Sequence, residues 1–268
     1  MIIGKAISPF ALRKKGTVPT DADAQAFITA TGISGTNATA TNQLVIDLKA
    51  ANIWTKMKAI YPMVGGTATT CKFNLKDPRD LNAAYRLAFV GGGTFSANGY
   101  QLNGTNSYAN TFLTPSTSLS LNNAHLSMYT RISNQNCYIN STFIDALNAR
   151  QDAMCVIHSV SDYGSRFNDD TSLSAPTTNT QGFVIGSRLS STVKKYYKNN
   201  LTPFSATVTS TVLPNREVFI GSILGNGYQV YSANQCAFAS IGDGLTDAEA
   251  LALYNAVQLF NTTLNRQV

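Results

Sequence analysis

Between Asn98 and Ile132 the chain reads NGYQLNGTNSYANTFLTPSTSLSLNNAHLSMYTRI, and apolar positions recur there at every second residue. Tyr100 and Leu102 alternate with Gln101 and Asn103, and Asn103-Gly104-Thr105-Asn106 has the chemistry of a tight turn. The chain returns from Tyr108 to Leu113, so this stretch predicts a hairpin. After a loop from Thr114 to Asn123, Leu126, Met128, Thr130 and Ile132 share one face, and His125, Ser127, Tyr129 and Arg131 share the other. A period of two with one apolar face predicts a half-buried strand. Strand character recurs at 59–64, in the alternation of Tyr85, Leu87 and Phe89 with Arg86, Ala88 and Val90, and at 153–160, 163–167, 183–188, 193–197, 218–223 and 237–241. Gly, Asn and Pro punctuate these runs, and the spacing predicts a mainly β chain folded as an antiparallel two-sheet sandwich.

Three segments follow a helical period instead. Thr20 or Asp21 can N-cap a short helix through about Ala30, with Ala24, Phe27 and Ile28 on one side and Gly32 closing it. A second helix is predicted over 41–51, where Leu44, Val45 and Leu48 form a stripe. The last is the clearest: Thr246-Asp247-Ala248-Glu249 is a capping box, and Leu253, Val257, Phe260 and Leu264 follow on one face. The division expected is an arm at 1–20 for anchoring or oligomerisation, a helical cap at 21–57 packed on the sandwich, and the sandwich itself at 58–268, ending in helix 246–265. Ile2, Ile3, Ile7, Phe10 and Leu12 make the arm too apolar for a plain tail, which favours docking on a neighbouring subunit.

Composition narrows the functional classes. Only 13% of the 268 residues are charged, roughly half the usual fraction of about 25%. Thr, Ser and Asn wet the surface instead, as suits an extracellular or particle-borne domain. The net charge is +6, yet Arg13-Lys14-Lys15 and the Lys194–Lys198 run are too short to track a polyanion, so nucleic acid is not an expected partner. The second run alternates with aromatics and reads as a solvated edge strand guarded by lysines. Cys71, Cys137, Cys155 and Cys236 include no CxxC pair and are expected as free buried thiols. The opening MIIGKAISPFALRKK places basic residues after apolar ones, the reverse of a secretory signal, and no apolar run is long enough to span a membrane.

The sequence carries no catalytic signature. Glycoside cleavage needs two carboxylates about the scissile bond. The chain has two glutamates, of which Glu249 belongs to its capping box and Glu217 opens a strand without an acidic neighbour on its face. His125 and His158 stand alone in strands, and no GxSxG, P-loop or HExxH occurs. Asp162, Asp169 and Asp170, with Asn168, form the densest set of oxygen ligands, of the kind Ca²⁺ takes, or serve as turn-forming Asx residues. Asn74, Asp77 and Asp80 form a second, sparser group. A sugar could instead be bound on aromatic faces, with Tyr100, Tyr108 and Tyr129 as the candidate platform.

Five segments, DADAQAFITATGI at 21–33, WTKMKAIYPMVGG at 54–66, FNLKDPRDLNAAYRL at 73–87, NGTNSYANT at 103–111 and IGDGLTDAEA at 241–250, span nearly everything after Thr20. Together they resemble virion proteins of tailed bacteriophages that carry a LamG-like, concanavalin A-like jelly-roll domain. The resemblance implies a jelly-roll sandwich, to which the residue patterns above add two short N-terminal helices and one C-terminal helix. It also implies a non-enzymatic structural component of the phage particle, displayed on the virion surface as a fibre, tail or capsid-surface protein and contributing to host attachment. Other virion proteins, a homo-oligomeric assembly (a trimer first) and a host surface glycan are the partners it suggests. The alternative is a lectin-like module that recognises bacterial surface polysaccharide, with no cofactor beyond a Ca²⁺ ion at the aspartate group.

Overall fold

The computed structural model describes residues 20–133, 136–144, 150–158, 161–200, 202–224 and 229–268. The expected anchoring residues Ile2, Ile3, Ile7, Phe10 and Leu12 lie outside them. The described residues form an antiparallel jelly-roll β-sandwich of two eight-stranded sheets, with helices laid over one sheet.

The first sheet runs, in order, Phe204–Thr207, Val193–Lys198, Gly182–Arg188, Ala124–Thr130, Gln235–Gly242, Gly99–Gln101 and Thr94–Ser96, with Met57–Tyr61 beside the second half of Gln235–Gly242. The second runs Leu173–Pro176, Asp162–Ser165, Arg150–His158, Cys137–Ile144, Phe219–Ile220, Tyr108–Asn110 and Ala88–Val90, with Phe167–Asp169 also on Arg150–His158. Leu126, Met128, Val184, Tyr196, Ala239 and Ile241 of the first sheet meet Ile139, Tyr163, Phe167, Val218 and Ile220 between the sheets.

The first sheet's other face is equally apolar. Tyr129, Phe183, Ile185, Tyr197 and Phe238 pack beneath Phe27 of the helix Ala22–Thr31, Leu44, Val45 and Leu48 of the helix Gly35–Ala50, and Leu253, Val257 and Phe260 of the helix Asp247–Thr263. A sheet apolar on both faces needs cover on both, and the amphipathic helices supply it. Three sequence expectations are corrected as a result. Ala124–Thr130 is buried at all seven positions rather than half-buried. Val193–Lys198 is an interior strand, paired with Gly182–Arg188 and Phe204–Thr207, and not a solvated edge. Its Lys194 is fully buried.

The expected hairpin at 100–113 is also corrected. Gly99–Gln101 pairs in the first sheet, and Tyr108–Asn110 pairs with Ala88–Val90 and Phe219–Ile220 in the second. The turn chemistry is real but closes a crossover between sheets: Asn103 Oδ1 accepts hydrogen bonds from the backbone N–H groups of Thr105, Asn106 and Ser107. The strand expected at Tyr85 starts three residues later, because Tyr85 ends a short 3₁₀ turn in the left-handed region at φ 58°. Cys71 and Cys236 are free and buried.

Candidate functional site

The aspartate group does not assemble a cation site. Asp169 is wholly buried and accepts Arg188 Nη2 at 2.7 Å and Lys194 Nζ at 2.8 Å. Two cations already saturate its charge, and Asn168 Nδ2 turns away to the Leu121 carbonyl. Asp162 accepts the Ser174 hydroxyl, and Asp170 is exposed beside Thr171. In the sparser group Asp77 pairs with Arg79, Asp80 with Lys72 and Arg86, and buried Asn74 caps backbone N–H groups of Ile60 and Lys76. Among the described residues no cluster of three or more His, Cys, Asp or Glu side chains could hold a metal ion.

The three tyrosines do not form one platform. Tyr100 is 0% exposed and stacks on Phe95 at 4.8 Å in the inter-sheet core, where burial pushes its hydroxyl up to about 12. Tyr129, also 0% exposed, lies on the opposite face under the C-terminal helix, its hydroxyl donating to Gln258 or to the Val268 carbonyl. Tyr108 is half-buried on the second sheet, edge-on to Phe219 at 5.5 Å. Alternation identifies strand residues and faces, but it does not say that both faces of the first sheet are covered.

A groove opens beside the start of the C-terminal helix. Residues 242–246 cross from the last strand of the first sheet to the C-terminal helix, and the Ser187 hydroxyl pins them. It accepts from Leu245 N–H at 2.8 Å and donates to Leu245 C=O at 2.9 Å. Gly244 passes so close that an added Cβ would sit 2.3 Å from the Arg188 carbonyl oxygen. The helix then begins with the reciprocal Thr246–Glu249 capping box. Asp247, its first residue, points back over the Val193–Lys198 strand.

There the Asp247 carboxylate accepts Lys195 Nζ at 2.7 and 3.0 Å and the Tyr197 hydroxyl at 2.8 Å. Lys195 and Tyr197 stand two apart on one strand, so the pleat aims both at the helix terminus. The Lys195 and Tyr197 hydrogen bonds hold the Asp247 carboxyl below the ordinary aspartate range. Burial, reinforced by Asp247, pushes the Tyr197 hydroxyl well up. Asp247 is therefore a fixed anion, an acceptor rather than a proton donor.

Two hollows flank this pair. One of about 420 Å³ is walled by Leu189, Val193, Leu245 and Ala248, with Ser190 and Thr246 at its rim. The other, about 260 Å³, lies between Tyr197, Asn199, Asn200, Thr202, Pro203 and Leu251. Both include Tyr197 and Asp247 in their walls. Apolar walls with a few converging polar groups are the usual make-up of a small-molecule site. Asp247 is the one carboxylate among the described residues that line it; Glu249 pairs with Lys56 at 2.6 Å, and Glu217, on the other sheet's side, accepts Asn110 Nδ2 at 2.6 Å. Sequence reasoning missed this site, because Lys195 and Asp247 are 52 positions apart and each has a local explanation, one in a strand and one in a capping box.

No protein-family model matches the sequence, and no curated protein matches it. Among solved structures the chain is similar to the binding domain of botulinum neurotoxin serotype D, at 11% identity and a TM-score of 0.48, over 76% of this chain and 52% of that one. It thus spans about half the length of the toxin chain. It is also similar to domain 4 of AbnA, an extracellular GH43 arabinanase from Geobacillus stearothermophilus solved in complex with arabinotriose, at 14% identity and a TM-score of 0.38, over 74% and 98% of the two chains. At such identities the likeness concerns sandwich architecture and carries nothing about ligand or activity.

Proposed function

We propose that this chain is a non-enzymatic binding domain displayed on the surface of a bacteriophage particle, attaching to a bacterial surface glycan through the groove beside Asp247. The observation that carries the binding reading is the groove: two open hollows about one compensated Asp247–Lys195 pair, with hydroxyl and amide groups on apolar walls. Sugars present the matching surface, hydroxyls at the ring edge and C–H groups on the ring face. The particle setting rests on the five segments that resemble phage virion proteins, and the low charge of the surface suits it. Asp247 stays ionised and both glutamates are tied to other partners, which supports a role without catalysis.

Two experiments test this reading. Purified protein on an array of bacterial surface polysaccharides is expected to be retained by at least one, and retention by none removes the glycan function. Deleting residues 1–20 is expected to lower both the solution mass and the recovery of the protein on particles. If both stay the same, the anchoring and oligomerisation role of the arm is wrong, and failure of an antibody to label intact particles removes the virion setting.

A further inference from the structure

Resting on the glycan-binding reading, we infer that the groove takes an uncharged stretch of a polysaccharide, at least two sugar units long, without Ca²⁺. Charge selects the ligand class. Among the described residues that wall the two hollows, Lys195 and Asp247 alone are ionic, and they neutralise each other at 2.7 Å. A uronate or phosphate unit would have to take Lys195 from Asp247 and would leave a carboxylate facing its own charge. An amino sugar would meet the converse problem with Lys195. A neutral vicinal diol meets neither, because its hydroxyls can accept from the ammonium and donate to the carboxylate while the pair stays intact. The protein's net charge of +6 is carried elsewhere and does not set the charge of this site.

Coordination disfavours an ion. Ca²⁺ takes about six to eight oxygen ligands, several of them carboxylates. The groove offers one carboxylate, and its oxygens already receive Lys195 and Tyr197. A cation bridging sugar and protein has no cage here.

Shape sets the length of the ligand. Tyr197 and Asp247 divide the space into hollows of about 420 and 260 Å³, so a ligand that contacts the pair has room on both sides. Leu189 in one hollow and Leu251 in the other are each 47% exposed, apolar surface on which the C–H face of a sugar ring can lie. A single monosaccharide would fill one side and leave the other wet. A chain crossing Asp247 uses both.

The experiment measures retention on immobilised neutral and uronate-bearing bacterial polysaccharides in parallel, each with and without EDTA, followed by calorimetry with size-graded fragments of whichever polysaccharide binds. Neutral polymers are expected to be retained equally with and without EDTA, with a disaccharide or longer fragment binding at least tenfold tighter than the monosaccharide. Asp247→Asn and Lys195→Met should each weaken binding about tenfold or more. Ala248→Trp and Thr202→Trp, which fill one hollow each and leave the ion pair intact, should both weaken it as well. Circular dichroism melting curves close to wild type establish that the variants fold. Retention only on uronate polymers, or loss with EDTA, overturns the inference while leaving glycan binding in place. Undiminished binding by all four variants places the ligand elsewhere, and retention of wild type on no polymer removes the binding reading itself.

Discussion

His125 is buried in the first sheet between the turn before the C-terminal helix and two serines. Its Nδ1 lies 2.6 Å from the Asp243 carbonyl, which can only accept, so Nδ1 carries the proton and Nε2 accepts from Ser240 Oγ at 3.0 Å. Ser127 continues the chain, its hydroxyl 2.6 Å from that of Ser240. Burial disfavours the charged ring and outweighs the opposing hydrogen bond to the Asp243 carbonyl, so the imidazole drops from 6.5 to about 4. The unfolded chain binds this proton near pH 6.5 and the native chain only near pH 4. The stability that this histidine contributes is therefore full above about pH 6.5, falls as pH descends through that window by about 3 kcal/mol in all, and loses nothing more below pH 4. Urea denaturation between pH 4 and 8 measures the fall. An imidazole NMR titration near pH 6.5 in the native protein would refute it.

At the scale of elements, Asp169, Arg188 and Lys194 tie the two sheets together. Arg188 and Lys194 face inward from neighbouring strands of the first sheet, and Asp169 reaches them from the Phe167–Asp169 strand of the second. Arg188 also donates to the Phe167 and Val208 carbonyls, and Lys194 to Thr171. All three side chains are 0% exposed, and burial pulls the Lys194 ammonium down even though Asp169 opposes it. Asp169→Asn leaves two buried cations without a counter-charge and is expected to cost about 3–5 kcal/mol in urea denaturation. Replacing all three by Leu, Met and Met should recover most of that loss, because the desolvation of three ions disappears with them. A loss below about 1 kcal/mol in the single variant would mean that water reaches the cluster.

At the scale of the whole molecule, Arg266 ties the end of the C-terminal helix to the first sheet. It is 1% exposed, and its guanidinium donates to the carbonyls of Pro62, Met63 and Ala237 and to the Asn261 side chain, with Ala97 a further acceptor at 3.3 Å. No carboxylate is among these partners, and burial lowers its ordinary value to about 10. The residue thereby joins the end of the C-terminal helix, the segment after Met57–Tyr61 and the strand Gln235–Gly242. Arg266→Met leaves several buried carbonyls without donors and should cost about 3 kcal/mol or more, read as a lowered thermal midpoint. The same tie fixes the C-terminal helix over the first sheet, so it also fixes Asp247 over Lys195.

The chain by itself determined much of this protein: the β-sandwich class through its period-two runs, the C-terminal helix through its Thr246–Glu249 box, and the turn chemistry of Asn103, because each depends on residues close in sequence. Partnership across the chain was decided only by the tertiary structure. Alternation around Tyr100 and Tyr108 is the same whether the two strands form a hairpin or enter different sheets. Lys194 reads as an exposed guard until Asp169 and Arg188 are placed beside it. Tyr129 reads as surface until a helix covers it. The groove exists because the C-terminal helix starts over the Val193–Lys198 strand, so that Lys195 and Tyr197 meet an aspartate 50 and more residues away. Periodicity records which face of a strand is apolar, whereas packing decides what lies against it, and that is where the site is made.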